Sequence, residues 1–122
     1  MKNLKTPLRY PGGKSRAITK ISEFFPDLSK YDQFREPFVG GGSVSLWVTK
    51  TYPDLLIWVN DLYEPLYNFW THLQLAGDVI QDKLTEIKKK NPDPDKAKEL
   101  FIESKEILSS GSNIDRAVAF YV

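Results

Sequence analysis

Three consecutive glycines, Gly40, Gly41 and Gly42, are followed 21 residues after Gly40 by Asp61. A run of residues without Cβ atoms lets the backbone take positive φ and lie directly against a ligand. If a helix leaves such a turn, its first amide N–H groups point at whatever occupies the bend. A carboxylate about 20 residues further on, at the end of the next strand, suits the vicinal hydroxyls of a ribose, which it can hold by short charge-assisted hydrogen bonds. The chemistry these residues suggest is the grip on a nucleotide-like cofactor. Two plainer uses fit the same residues: glycine for a tight bend, and Asp61 as the cap of a helix beginning at Leu62.

A second turn lies upstream, where Lys14 follows Gly12 and Gly13 and Tyr10 precedes them. A lysine there can pair with a ligand carboxylate, and the tyrosine ring can pack on a flat ligand face. Taken locally, a solvated lysine and a core tyrosine are the favoured reading. Gly13, Lys14 and Ser15 do not form a phosphate loop, because that motif needs glycine where Leu8 stands and a strand before it.

The elements that would position these groups are legible from periodicity. Residues 34–39 read as a strand entering the glycine turn, and a helix capped by Ser43 leaves it with Val44, Trp47 and Val48 on one face. Residues 55–59 read as a second strand ending at Asn60 and Asp61. A helix through Ala17, Ile18, Ile21 and Phe25 precedes this β-α-β unit and stops at Pro26. Beyond Asp61 the texture turns helical. Leu62, Leu66, Phe69, Trp70 and Leu73 form one stripe; Val79, Ile80, Leu84 and Ile87 form a second that runs into Lys88, Lys89 and Lys90. Asn91 to Asp95 break the pattern and cap a third helix with Ala97, Leu100, Phe101, Ser104 and Leu108 on one face. Ser112 or Asn113 caps a last one. The expected fold is α/β, with residues 1–73 carrying the cofactor part and residues 74–122 forming a helical segment. Two strands are few for a parallel sheet that buries both faces. That count, and the apolar run to Val122, predict a sheet incomplete in this chain and a longer parent sequence.

Composition narrows the classes. With 41% hydrophobic and 13% aromatic residues in 122, the chain can bury a core and is not a disordered one. A net charge of +1 leaves a local nucleic-acid-binding face open. The absence of cysteine excludes disulfides, thiolate metal ligands and a cysteine nucleophile, and His72, the single histidine, has no ligand set around it in sequence. No secretion-signal pattern or membrane-length apolar run is present, so a soluble intracellular protein is expected.

Three islands occur in order: residues 7–14, residues 34–43, and Asn60 to Leu62. Together they resemble the amino-terminal part of the Dam-type (D12 class) DNA adenine-N6 methyltransferases, from Pro7 to about Trp70. The aromatic-x-Gly-Gly-Lys start and the Glu-Pro-Phe-x-Gly-x-Gly turn carry the resemblance. It implies a Rossmann-like fold, S-adenosylmethionine as cofactor, double-stranded DNA as partner and a cytoplasmic setting in a bacterial or phage-infected cell. Restriction-linked and regulatory roles both remain open. It further implies that Tyr10 and Lys14 contact the cofactor, with Lys14 pairing with its carboxylate. Glu36 would meet the ammonium; Phe38, Gly40 and Gly42 would line the groove; and Asp61 would hold the ribose. Family members also carry an Asp-Pro-Pro-Tyr type motif that orients the target adenine. The 122 residues contain none, since Asn91 to Pro94 have the wrong order and lack the aromatic. The expected role is therefore the cofactor-binding half of such an enzyme, with no catalytic residue in this chain and the catalytic half missing or separate, or else a module that binds without turnover.

Overall fold

The computed structural model describes residues 5–122. The chain divides into two compact units on either side of the Leu62–Tyr63 peptide.

Among the described residues the first unit opens on irregular backbone and a turn, at which Gly13 N–H donates to the Tyr10 carbonyl at 3.0 Å. Helix α1 is short, Ile18–Ile21, and passes into a 3-10 turn over Ser22–Phe24. It stops because Phe25 is extended, at φ −75° and ψ 142°, as steric pressure from a following proline requires; Pro26 follows. Strand β1, Gln33–Glu36, and strand β2, Leu56–Val59, pair in parallel with Phe34 opposite Ile57 and Glu36 opposite Val59. The connection between them is helix α2, Ser43–Thr51, so the β-α-β reading holds. Among the described residues these are the two strands of the sheet.

Side chains alternate across a strand. Phe34, Glu36, Ile57 and Val59 are half-buried on one face, while Gln33, Arg35, Leu56 and Trp58 are exposed on the other. The core of the unit is Leu28, Val39, Ser45 and Val48. Helix α2 differs from its sequence reading in two ways. Gly42 occupies the cap position at φ 77° and Ser43 is already helical, so the serine side chain caps nothing. The fully buried positions are Ser45 and Val48, while Val44 and Trp47 are half-buried, Trp47 lying edge-on to Phe25 and Tyr52.

The second unit is helical. The two helices expected on either side of residues 74–77 are one element, α3, Glu64–Lys90, broken at Ala76, where φ is −145° and ψ 39°. The sequence-based division between residues 73 and 74 thus falls inside α3, close to this break. Helix α4, Pro94–Ser110, starts where Asp93 accepts the Lys96 N–H at 2.9 Å. Ser112 caps α5, Asn113–Tyr121, by accepting the Asp115 N–H. Ala117, Val118 and Ala119 are all buried, and α5 packs on both α3 and α4. Small residues in succession allow one helix to approach two others. Arg116 ties the three together: Nε donates to the Leu108 carbonyl at 2.9 Å, and a terminal nitrogen bonds to Glu64. Among the described residues, no helix is long and apolar enough to cross a membrane.

Candidate functional site

The parallel pairing that begins in the strands continues past their ends. Asn60 N–H donates to the Glu36 carbonyl and Val39 N–H donates to the Asn60 carbonyl, both at 2.9 Å. This zip brings the glycine turn and Asp61 side by side. The Asp61 carboxylate then closes the join, its Oδ2 accepting the Gly40 N–H at 3.0 Å. Asp61 is therefore a clamp on the turn and not the cap of the next helix, which starts at Glu64 behind Tyr63.

Gly40 and Gly42 have φ of 51° and 77°, in the left-handed region that disfavours any Cβ. The turn also needs to be bare because Tyr10 lies against it. A Cβ on Gly41 would stand 3.1 Å from the Tyr10 Cβ, and one on Gly40 would stand 3.3 Å from the ring. Thr6, which sequence reasoning passed over, stitches the same two segments by donating its hydroxyl to the Gly41 carbonyl.

Between these segments lies an open cavity of about 500 Å³. Its walls come from the Tyr10–Lys14 turn, from Ile21, from Glu36, from the residues between Phe38 and Val44, and from Asp61. All seven residues expected to form the site (Tyr10, Lys14, Glu36, Phe38, Gly40, Gly42 and Asp61) line it. Their presentations differ. Phe38 is 79% exposed and forms part of the mouth. Lys14 is exposed and its Nζ donates to the Gly12 carbonyl at 2.6 Å, within its own turn. Glu36, the last residue of β1, faces α2 and is half-buried, and Ser45 donates its hydroxyl to Oε2. Burial pushes the Glu36 carboxyl above the ordinary glutamate range, and the hydrogen bonding from Ser45 pulls it partly back.

Two serines of α2 were not anticipated as site residues. Ser45 has a legible signal, a hydroxyl three residues before Val48 on the same buried face, which needs a polar partner within the fold. Ser43 lines the cavity, and among the described residues its buried hydroxyl oxygen has no hydrogen-bond partner. His72 lies elsewhere, in α3, where its Nδ1 meets the Asn68 carbonyl at 2.8 Å. Among the described residues no group of three or more His, Cys, Asp or Glu could hold a metal.

The description "D12 class N6 adenine-specific DNA methyltransferase" belongs to the family model that matches residues 10–122. The chain belongs to this family. The match takes in both units, including the helical part where the sequence resemblance had thinned. A curated relative, the Type II methyltransferase M.MjaIII of Methanocaldococcus jannaschii, is 24% identical over 115 residues. The alignment covers 90% of this chain and 40% of that protein, so the chain spans about two fifths of the relative's length.

For a D12-class methyltransferase the implied cofactor is S-adenosylmethionine, and the cavity's residues fit it. The volume lies in the range of small-molecule sites. The bare turn admits close backbone approach, and Glu36, Asp61 and Lys14 offer the cavity two carboxyl groups and an amine, groups of the kind that complement an ammonium, a diol and a carboxylate.

Proposed function

We propose that this chain forms the S-adenosylmethionine-binding half of a DNA methyltransferase acting on N6 of adenine. The observation that carries the reading is the convergence of three segments, far apart in sequence, on one cavity: Tyr10 to Lys14, Glu36 to Val44, and Asp61. In this reading Asp61 accepts hydrogen bonds from both ribose hydroxyls while keeping the Gly40 amide. Lys14 leaves the Gly12 carbonyl to pair with the cofactor carboxylate, a stronger partner because it is charged. Glu36 accepts the ammonium. Tyr10 and Phe38 flank the flat part of the molecule, and Gly40 and Gly42 let the backbone close on it.

Bound there, the cofactor supplies an electrophilic methyl. The acceptor is an exocyclic amine, which inside a duplex is stacked away, so the adenine has to be turned out and held in line. Orientation of that kind accounts for a large part of such a barrier. The residues that would orient the base, an Asp-Pro-Pro-Tyr type motif, are not among these 122. The same observation favours a second reading in which this chain by itself binds the cofactor, or DNA, without turnover.

Calorimetric titration tests the assignment. S-adenosylmethionine and S-adenosylhomocysteine are expected to bind, with NAD and ATP at least tenfold weaker; equal or tighter binding of NAD or ATP would overturn it. Incubated with labelled cofactor and adenine-containing duplex, the chain alone is expected to transfer no methyl. Labelling of N6 would show that the acceptor-orienting groups lie among these residues after all.

A further inference from the structure

The hydrogen bond between α2 and the end of β1 does more than satisfy a buried serine. We propose that Ser45 is a positioning residue for ligand selection: it holds the carboxylate of Glu36 against α2 so that it is presented to an ammonium group. The inference rests on the reading of the cavity as an S-adenosylmethionine site and adds to it a residue that does not line the cavity.

Ser45 is 6% exposed and sits in the first turn of α2, where the helix passes over the α2-facing side of the sheet. A serine hydroxyl has one proton to give, and here it goes to Glu36 Oε2. The Ser45 backbone N–H also bonds to the Glu36 carboxylate, so both donors of this residue hold it, and among the described residues no other donor and no ion-pairing cation meets Glu36. The ionisable groups around the same cavity are Tyr10 and Lys14 from the opening segment and Asp61 from the end of β2. Helix α2 contributes none there, its one charged residue, Lys50, lying in the last turn.

A half-buried carboxylate held from the α2 side by Ser45 alone, with no ion-pair partner among the described residues, calls for a cation. Rotation of the Glu36 side chain toward water would satisfy it equally well; the Ser45 bond opposes that rotation. The site is thereby selective for nucleosides that carry an amino-acid ammonium over those that do not.

Protonation of Glu36 removes its negative charge, so affinity for an ammonium-bearing ligand falls as pH drops through the Glu36 pKa. Burial places that pKa above the ordinary glutamate value and Ser45 holds it down. Removing the hydroxyl raises it further, so the loss then begins at higher pH.

The test is calorimetric titration of the chain with S-adenosylhomocysteine and with 5′-methylthioadenosine, which lacks the amino-acid group, across pH 5 to 8. Ser45→Ala is expected to weaken S-adenosylhomocysteine about fivefold to tenfold at neutral pH and to move its acid limb upward in pH. Methylthioadenosine is expected to bind as it does to the unaltered chain, which also shows that the variant is folded. Ser45→Thr, which keeps the hydroxyl, is expected to stay within about twofold. Equal weakening of both ligands, or an acid limb that does not move, overturns the positioning role. If the unaltered chain binds neither ligand, the cofactor reading itself fails, an outcome distinct from any behaviour of the variants.

Discussion

Removing the Asp61 carboxylate should loosen the glycine turn selectively, and the size of the effect follows from its surroundings. The Gly40 amide reaches Asp61 Oδ2 at 3.0 Å. A hydrogen bond to a charged acceptor contributes about 1.5–3 kcal/mol, and one between neutral groups about 0.5–1.5. Both residues here are partly exposed, so water can compete and the lower end applies. A change of about 1.5 kcal/mol is roughly tenfold in an opening equilibrium. Hydrogen exchange read by NMR at the Gly40 amide measures that opening directly. Asp61→Ala is expected to reduce protection of Gly40 about tenfold, and Asp61→Asn, which keeps an oxygen acceptor but no charge, about threefold. The amides of Val39 and Asn60 donate to backbone carbonyls of the strand ladder at 2.9 Å and are expected to keep their protection. Unchanged exchange at Gly40 in Asp61→Ala would refute the clamp. So would an equal loss at all three amides, which would mean that the substitution destabilised the whole unit.

Two further outcomes are expected. Gly42→Ala forces a side chain into the left-handed region at φ 77°, which costs about 1–2 kcal/mol. Urea unfolding should show that loss, with Gly42→Asn milder because a short polar side chain tolerates this conformation. In the second unit, Arg116→Ala removes the bonds to the Leu108 carbonyl and to Glu64 from a side chain 17% exposed. It should lower stability by about 2 kcal/mol, and Arg116→Lys by about half of that. Far-UV circular dichroism during urea unfolding would follow both variants, and Arg116→Lys matching the parent would show that the fork geometry contributes nothing.

The residues themselves carried much of the site. Glycine is the residue that takes positive φ without strain, so Gly40 and Gly42 announced a left-handed turn before any coordinates. The spacing to Asp61 announced a carboxylate at the end of the next strand, because one helix and one strand consume about that much chain. The β-α-β order and the helical texture after Asp61 follow from apolar periodicity, a local property. Even the break at Ala76 was foreshadowed by the gap between two apolar stripes.

Other features depend on which atoms face each other across the fold, and no local pattern encodes that. Gly42 takes the cap position that Ser43 was expected to fill, since the turn's left-handed geometry already starts the helix there. Asp61 binds the Gly40 amide because the ladder between Glu36 and Asn60 sets the two loops in register. Sequence cannot decide between that bond and a helix cap when both use the same oxygen. Glu36 is half-buried and meets Ser45 because the strand's pleat turns it toward α2. Its raised pKa is thus a property of the packed unit, since burial is what disfavours its charge.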